Sequence, residues 1–278
     1  LIAILVTNQY HATHCFIGIY LWLNEVFRMN KKGLRVITYN IHKGFNTGNR
    51  RFILHQIRDA LLAADADLMF LQEIQGEHKL HQKKIANWPT LSPLEFLAET
   101  IWPFHAYSKN AVYTAGHHGN AILSKYPFKL LENINVSPYP WASRSLMHGI
   151  IQLPEIHQDV HIVCIHFGLL GKERRLQISK LSARIDSHVP HDAPLIIAGD
   201  FNDWMGQADR LFHDHLGLQE VFHITHGRYA RSFPSWFPFL PMDRIYFRGL
   251  IPISCERLSL APWHTLSDHS PLAASFTL

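Results

Sequence analysis

The sequence predicts an α/β fold on two observations. From Leu34 onward, short apolar runs of strand length alternate with segments whose apolar residues recur at helical spacing. Several of the apolar runs end in a carboxylate, an amide or a histidine, where open α/β folds build their ligand sites. With 278 residues, 47% of them hydrophobic and 17% charged, the chain can bury a large core; disorder and a multi-span membrane protein are excluded.

Residues 1–28 differ from the rest. Glu25 and Arg28 are their fixed charges, and residues 15–23 form an apolar and aromatic run. That run is too short to span a bilayer, which needs about 20 residues. A basic leader region and a small-residue cleavage site are not visible. Two explanations stand. Either Met29 is the natural start and an extended reading frame lies upstream, or the stretch is a short interfacial helix with Phe16, Tyr20, Leu23 and Phe27 on one face. The expected organisation is thus an N-terminal stretch, 1–28, and one domain, 29–278.

Within that domain, 34–39 reads as a buried strand, followed by a helix over 52–64 with Ile53, Leu54, Ile57, Leu61 and Leu62 apolar. A strand at 68–71 comes next. Ser92-Pro93-Leu94-Glu95 is a helix start, with Ser as N-cap, Pro in the first turn and Glu at the capping-box position. Strands follow at 120–123, 146–153 and 160–165. The spacing predicts an amphipathic helix over 172–188, with Leu176, Leu181 and Ile185 inward. The last strands fall at 195–198, 243–247 and 272–276. No repeat or long flexible linker divides this region.

The net charge of +4 permits phosphate-bearing partners but falls short of a dedicated nucleic-acid binder. Three scattered cysteines offer no disulfide framework and no paired zinc motif, which fits a cytoplasmic protein; a native 1–28 segment would add peripheral membrane association. Histidine is the unusual count, 21 against 22 acidic residues, and most of those rings are expected to be polar surface.

The chemistry gathers at the strand ends. Asn40 follows the first strand, Gln72-Glu73 the second, and His166 the run 162–165. Asp200 and Asn202 follow 195–199, and Asp268-His269 sits in a turn feeding the last strand. Singly, each is ordinary turn chemistry. Together, in one domain, they describe a site if the ends converge.

These residues lie in stretches that resemble the endonuclease/exonuclease/phosphatase (DNase I-like) superfamily, in that family's order. The stretches are TYNIHKG (38–44), DLMFLQEI (67–74), GNAILSKYP (119–127), SRSLMHGII (143–151), VCIHFGLL (163–170), LIIAGDFND (195–203), MDRIYF (242–247) and LSDHSPL (266–272). More narrowly, NIHKGF, NRRFIL and HHGNA resemble a bacterial branch that begins near the position of Met29. The resemblance implies a four-layer α/β/β/α sandwich, two mixed β-sheets packed face to face with helices outside, and a divalent-metal-dependent phosphodiester hydrolase.

It also implies roles. Glu73, Asn40 and Asp268 match the metal positions, for Mg²⁺ with Mn²⁺ as the alternative, an oxygen-ligand site. His269 matches the histidine beside the scissile phosphate, and Asp243 the carboxylate that orients it. Asp200 matches the residue that orients or deprotonates water. Asn202 matches a donor to a phosphate oxygen, and His166 an acid for the leaving group. Arg144 and Asn120 match phosphate-binding positions.

His42 departs from the family pattern, which carries an acidic or amide residue there. Of His117 and His118, one is expected to face the cleft, and His264 is a further candidate. The aromatic loop 231–241 can stack bases, enter a lipid interface or pack beneath the site. A nuclease-like enzyme is the leading expectation. The second is a sphingomyelinase or phospholipase C-like lipid phosphodiesterase. A catalytically silent binding module comes last, because it predicts a missing catalytic residue. The expected partner is a phosphodiester substrate, nucleic acid ahead of lipid; the protein is expected to be a monomer with no obligate protein partner.

Overall fold

The computed structural model describes residues 33–99, 101–139, 144–153 and 158–277. The expectations for residues 1–28 lie outside them.

The strands are β1 (Leu34–Asn40), β2 (Leu68–His78), β3 (Phe104–Tyr113), β4 (Gly116–Ser124), β5 (Phe128–Asn135), β6 (Ser145–Leu153), β7 (Gln158–His166), β8 (Leu195–Asp200), β9 (Gln219–Glu220), β10 (Asp243–Arg248), β11 (Ile251–Arg257) and β12 (Leu272–Thr277). The helices are α1 (Leu54–Ala64), α2 (Lys79–Lys84), α3 (Pro93–Ala98), α4 (Gly171–His188), α5 (Gln207–Leu216), α6 (Val221–His226) and α7 (Trp263–Leu266). One sheet has the order β11-β12-β1-β2-β4-β3 and the other β5-β6-β7-β8-β10-β9. Both are mixed: β1 runs parallel to β2 and β7 to β8, while the other neighbours pair antiparallel.

The layers follow from the two-residue period of a strand, which sends successive side chains to opposite faces. In β1, Val36 enters the core between the sheets, while Ile37 and Tyr39 face the core shared with α1, α3 and α7. In β8, Ile196 and Ala198 enter the central core, while Leu195 and Ile197 meet Ile178, Leu181, Ile185 and Phe212 of α4 and α5. Strands covered on both faces therefore read as continuous apolar runs. The result is the expected four-layer sandwich.

The Ser92 capping box forms with both bonds: Glu95 N donates to Ser92 Oγ at 3.3 Å, and Ser92 N to Glu95 Oε2 at 3.0 Å. Leu176, expected on the inner face of α4, is instead exposed, and Ile178 is buried there. The strands β3, β5 and β11 escape the sequence reading. Each is an outer strand with many exposed positions, so its apolar pattern is diluted. β2 runs on past 71 to His78 through two irregularities in its pairing with β4. Among the described residues no helix is long and apolar enough to cross a membrane.

Candidate active site

Strand register builds one wall of the site. Parallel pairing sets His166 beside Asp200, and antiparallel pairing sets Asp243 on the other side of Asp200. Three polar tips thus stand in a row on adjoining strands. Gly199 makes the row possible: a Cβ there would lie 2.0 Å from the Ile165 carbonyl oxygen, and its φ is +154°. Only glycine tolerates that approach.

Asp200 is the junction of the two sheets. Its Oδ1 accepts from Asn202 N at 2.9 Å and its Oδ2 from Asn40 Nδ2 at 3.2 Å, the latter reaching across from β1. His166 Nε2 stands 3.4 Å and His269 Nε2 3.8 Å from the same Oδ2. Asn202, with φ +50°, anchors its amide on the Phe167 carbonyl at 2.9 Å.

His269 is held from behind. Its Nδ1 and Asp243 Oδ2 are 2.8 Å apart, which fixes the ring and leaves Nε2 toward Asp200. Serines hold the turn around it. Ser267 Oγ donates to the Asn40 carbonyl at 2.7 Å, Ser235 N to the Asp268 carbonyl at 2.7 Å, and Asp243 N to Ser232 Oγ at 3.2 Å. Phe233 packs its ring 4.9 Å from that of His269. The sequence did not single out these serines, because one hydroxyl in a loop carries no spacing signal.

The other wall needs irregular backbone. Glu73 has φ +55° at the register shift between Leu71 and Ile74, a bulge that re-aims its carboxylate. His42 and Lys43, in the short 3₁₀ turn after β1, also have positive φ. Lys43 Nζ lies 3.1 Å from Glu73 Oε2, a contact the sequence reading missed. His42 Nδ1 stands 3.7 Å from Asp268 Oδ1.

Burial and charge sort the protons. Burial alone would lower the His269 pKa, but Asp243 and Asp200 outweigh it and raise it to about 10, so the ring is an imidazolium at neutral pH. Burial, reinforced by the Asp243 carboxylate, raises Asp200 above the usual range. Burial, with Arg144 nearby, pushes His166 well below its ordinary value, so that ring is neutral. Burial would also raise Glu73, but its basic neighbours, with the Lys43 ammonium paired to it at 3.1 Å, hold it at about 2, so it is ionised.

Register and hydrogen bonds relate the expected metal positions to Asn40. Asn40 pairs in register with Gln72, placing it at a strand end beside Glu73, and Ser267 ties Asn40 to Asp268. A buried ionised carboxylate, an amide oxygen and a second carboxylate are the donors a hard divalent ion takes, and an ammonium already lies against Glu73. The oxygen set therefore fits the ion. Ligand atoms of Asp200, Asp243 and His269 also lie within 4.8 Å of one another. There, Nδ1 of His269 is engaged by Asp243 at 2.8 Å.

His118 is the member of the histidine pair that senses the site. Burial lowers its pKa to about 4, with Glu73, Lys43 and Arg144 as its charged neighbours. His117 instead meets the Tyr107 hydroxyl at 2.9 Å through Nδ1. Arg144 acts on both His166 and His118, and its buried Nε has no protein partner among the described residues. Asn120 is fully buried; its Nδ2 donates to the Ser145 carbonyl at 3.4 Å and its Oδ1 has no partner among the described residues. His264 is exposed.

The model of the Endonuclease/Exonuclease/phosphatase family matches residues 37–269. A protein of Escherichia coli K12 named "Uncharacterized protein YbhP" is 43% identical over 244 residues, 88% of this chain and 96% of that one. The crystal structure of an endonuclease/exonuclease/phosphatase from Beutenbergia cavernae superposes with a TM-score of 0.72 at 17% identity, over 88% of this chain and 72% of that one. D. rerio TDP2, solved with a single-strand DNA product, superposes at 0.62 and 18% identity, over 88% and 99% of the two chains.

Proposed function

The chain belongs to the endonuclease/exonuclease/phosphatase family, and from that premise we propose that it is a divalent-metal-dependent phosphodiester hydrolase in which water attacks phosphorus in line. The observation that carries the proposal is the Asp243–His269–Asp200 row, with separations of 2.8 and 3.8 Å, beside the ionised Glu73. A hydrolase needs both a held proton and a proton acceptor, and this row contains one of each.

Glu73, Asn40 and Asp268 would hold the metal, Mg²⁺ or Mn²⁺. When bound, the ion supplies Lewis-acid polarisation of a phosphoryl oxygen and lowers the pKa of water. Asp200, its pKa raised toward neutrality, orients the attacking water and takes its proton. His269, kept protonated by Asp243, donates from Nε2 to a non-bridging phosphate oxygen as charge builds. Asn202 and Asn120 offer amide donors, and the Arg144 guanidinium clamps a phosphate oxygen. His166 is neutral, so it serves as a hydrogen-bond partner of Asp200 and the leaving oxygen rather than as an imidazolium acid.

The sequence expectation places nucleic acid ahead of lipid as the ester. The test is turnover of bis(4-nitrophenyl) phosphate, plasmid DNA, RNA and phospholipid vesicles with Mg²⁺ or Mn²⁺. Hydrolysis that EDTA abolishes supports the reading. Inertness toward every substrate with either metal overturns it.

A further inference from the structure

Beside the catalytic rim lies a surface whose composition the phosphodiesterase chemistry does not use. The loop leading into β10 packs the half-buried Phe233 against His269, yet turns Trp236, Phe237 and Phe239 outward, at 68%, 66% and 52% exposure. Their rings lie near one another, with centroids 6.2 and 6.5 Å apart in sequence order. Large aromatics this exposed and this close together are costly in water unless something covers them.

The neighbouring cavity carries the charge. It is about 630 Å³ in volume and open, and Arg228, Arg231, Arg257, His226, Tyr229 and Pro238 are among its lining. None of the residues lining it is acidic, and no carboxylate pairs with those three arginines among the described residues. Nη1 of Arg257 is buried without a protein partner. Pro238 of the aromatic loop forms part of the wall, so the rings and the arginines share one face.

The face continues toward the site. Tyr229 stacks on Arg244, whose Nη2 donates to the Asp203 carbonyl at 3.2 Å. Next in the chain come Trp204 and Met205, the methionine 71% exposed. Arg174 lies over the Trp204 ring and donates to the Leu169 carbonyl at 2.8 Å, beside the exposed Leu169 and Leu170. Lys172 and Arg175 stand exposed just beyond. Arg174 and Arg244 are themselves buried, and Arg174 pairs with Asp203. The exposed apolar tips, together with Arg228, Arg231 and Arg257, suit an anionic bilayer surface, where rings enter the headgroup region and guanidinium groups meet lipid phosphates. A nucleic-acid track would have no use for Leu169, Leu170 and Met205.

We propose that this face docks on an anionic phospholipid bilayer, with Trp236, Phe237 and Phe239 in the interface and the arginine cavity on a headgroup phosphate. The inference goes beyond the phosphodiesterase reading, and its test needs no turnover. The full chain is floated with vesicles of phosphatidylcholine alone and of phosphatidylcholine with phosphatidylglycerol, with and without single-stranded DNA as competitor. Residues 1–28 are common to every variant and cancel in the comparison.

The native protein should float with the anionic vesicles. W236A/F237A/F239A should lose binding at least tenfold. R228E/R231E should lose the preference for phosphatidylglycerol, at about fivefold per arginine removed. Both variants, altered only at exposed positions, should keep the native melting temperature and the native rate on bis(4-nitrophenyl) phosphate. As a second readout, brominated lipid chains should quench tryptophan fluorescence in the native protein and less in W236F. The proposal is overturned if anionic vesicles do not bind, if both variants bind them as the native protein does, or if the same substitutions abolish DNA binding and leave vesicle binding intact.

Discussion

The two sheets meet the cleft by different means. The sheet containing β7, β8 and β10 contributes through regular pairing: register alone puts His166, Asp200 and Asp243 side by side. The sheet containing β1 and β2 contributes through exceptions, a bulge at Glu73 and a left-handed turn at His42-Lys43. The regular wall is closely bonded, with two imidazoles held against Asp200 and one of them backed by Asp243. The irregular wall presents oxygen donors and a carboxylate kept ionised. Regular pairing suits groups that must touch each other, whereas a bulge suits a carboxylate that must point at something else.

The largest test of that contrast is on the regular wall. His269→Ala removes the held proton and should lower kcat about 10³-fold, measured on bis(4-nitrophenyl) phosphate at a temperature where the variant is still folded. An equal loss from Asp243→Asn, with a shifted pH profile, would tie the effect to the protonation of the ring. On the irregular wall, Glu73→Gln should cost about 10²-fold in activity and raise the metal concentration needed for half-maximal rate. Unchanged metal dependence would remove Glu73 from the ligand set.

Gly199→Ala tests the register itself. The new methyl group collides with the Ile165 carbonyl, and the expected loss is about 3 kcal/mol of stability by urea unfolding. The smallest effect is pH-dependent. His148 and His161 share one contact at 3.0 Å, and burial lowers both pKa values, that of His148 to about 4. As pH falls from 6.5 toward 4, the unfolded chain binds protons that the fold refuses, so stability should fall. His269 acts oppositely: its stabilisation is complete below 6.5 and is lost as pH rises through about 10. The melting temperature should therefore peak near neutrality and drop by a few degrees on either side, and a flat profile from pH 4 to 10 would contradict both assignments.

Much of the fold was legible because the central strands are apolar on both faces and their runs are unbroken. The outer strands β3, β5 and β11 were not, since many of their positions are exposed and no period survives. Leu176 was misplaced for a related reason: helical spacing alone does not locate the middle of the buried face, and α4 centres it on Ile178, Leu181 and Ile185. The aromatic loop shows the same limit at the site. Its composition allowed packing, stacking or lipid contact. The fold divides it, with Phe233 packed inward and Trp236, Phe237 and Phe239 outside.

By itself the sequence determined the α/β class and the chemical kinds of residue at the strand tips, because burial and turn chemistry are local properties of a chain. Which tips touch depended on register and on the packing of one sheet against the other. So did the protonation of the histidines. His166 and His269 look alike along the chain, yet one is neutral and the other charged, because only the second has Asp243 at 2.8 Å behind its ring. A pKa is set by neighbours in space, and the nearest partner of His269 is 26 residues away in sequence.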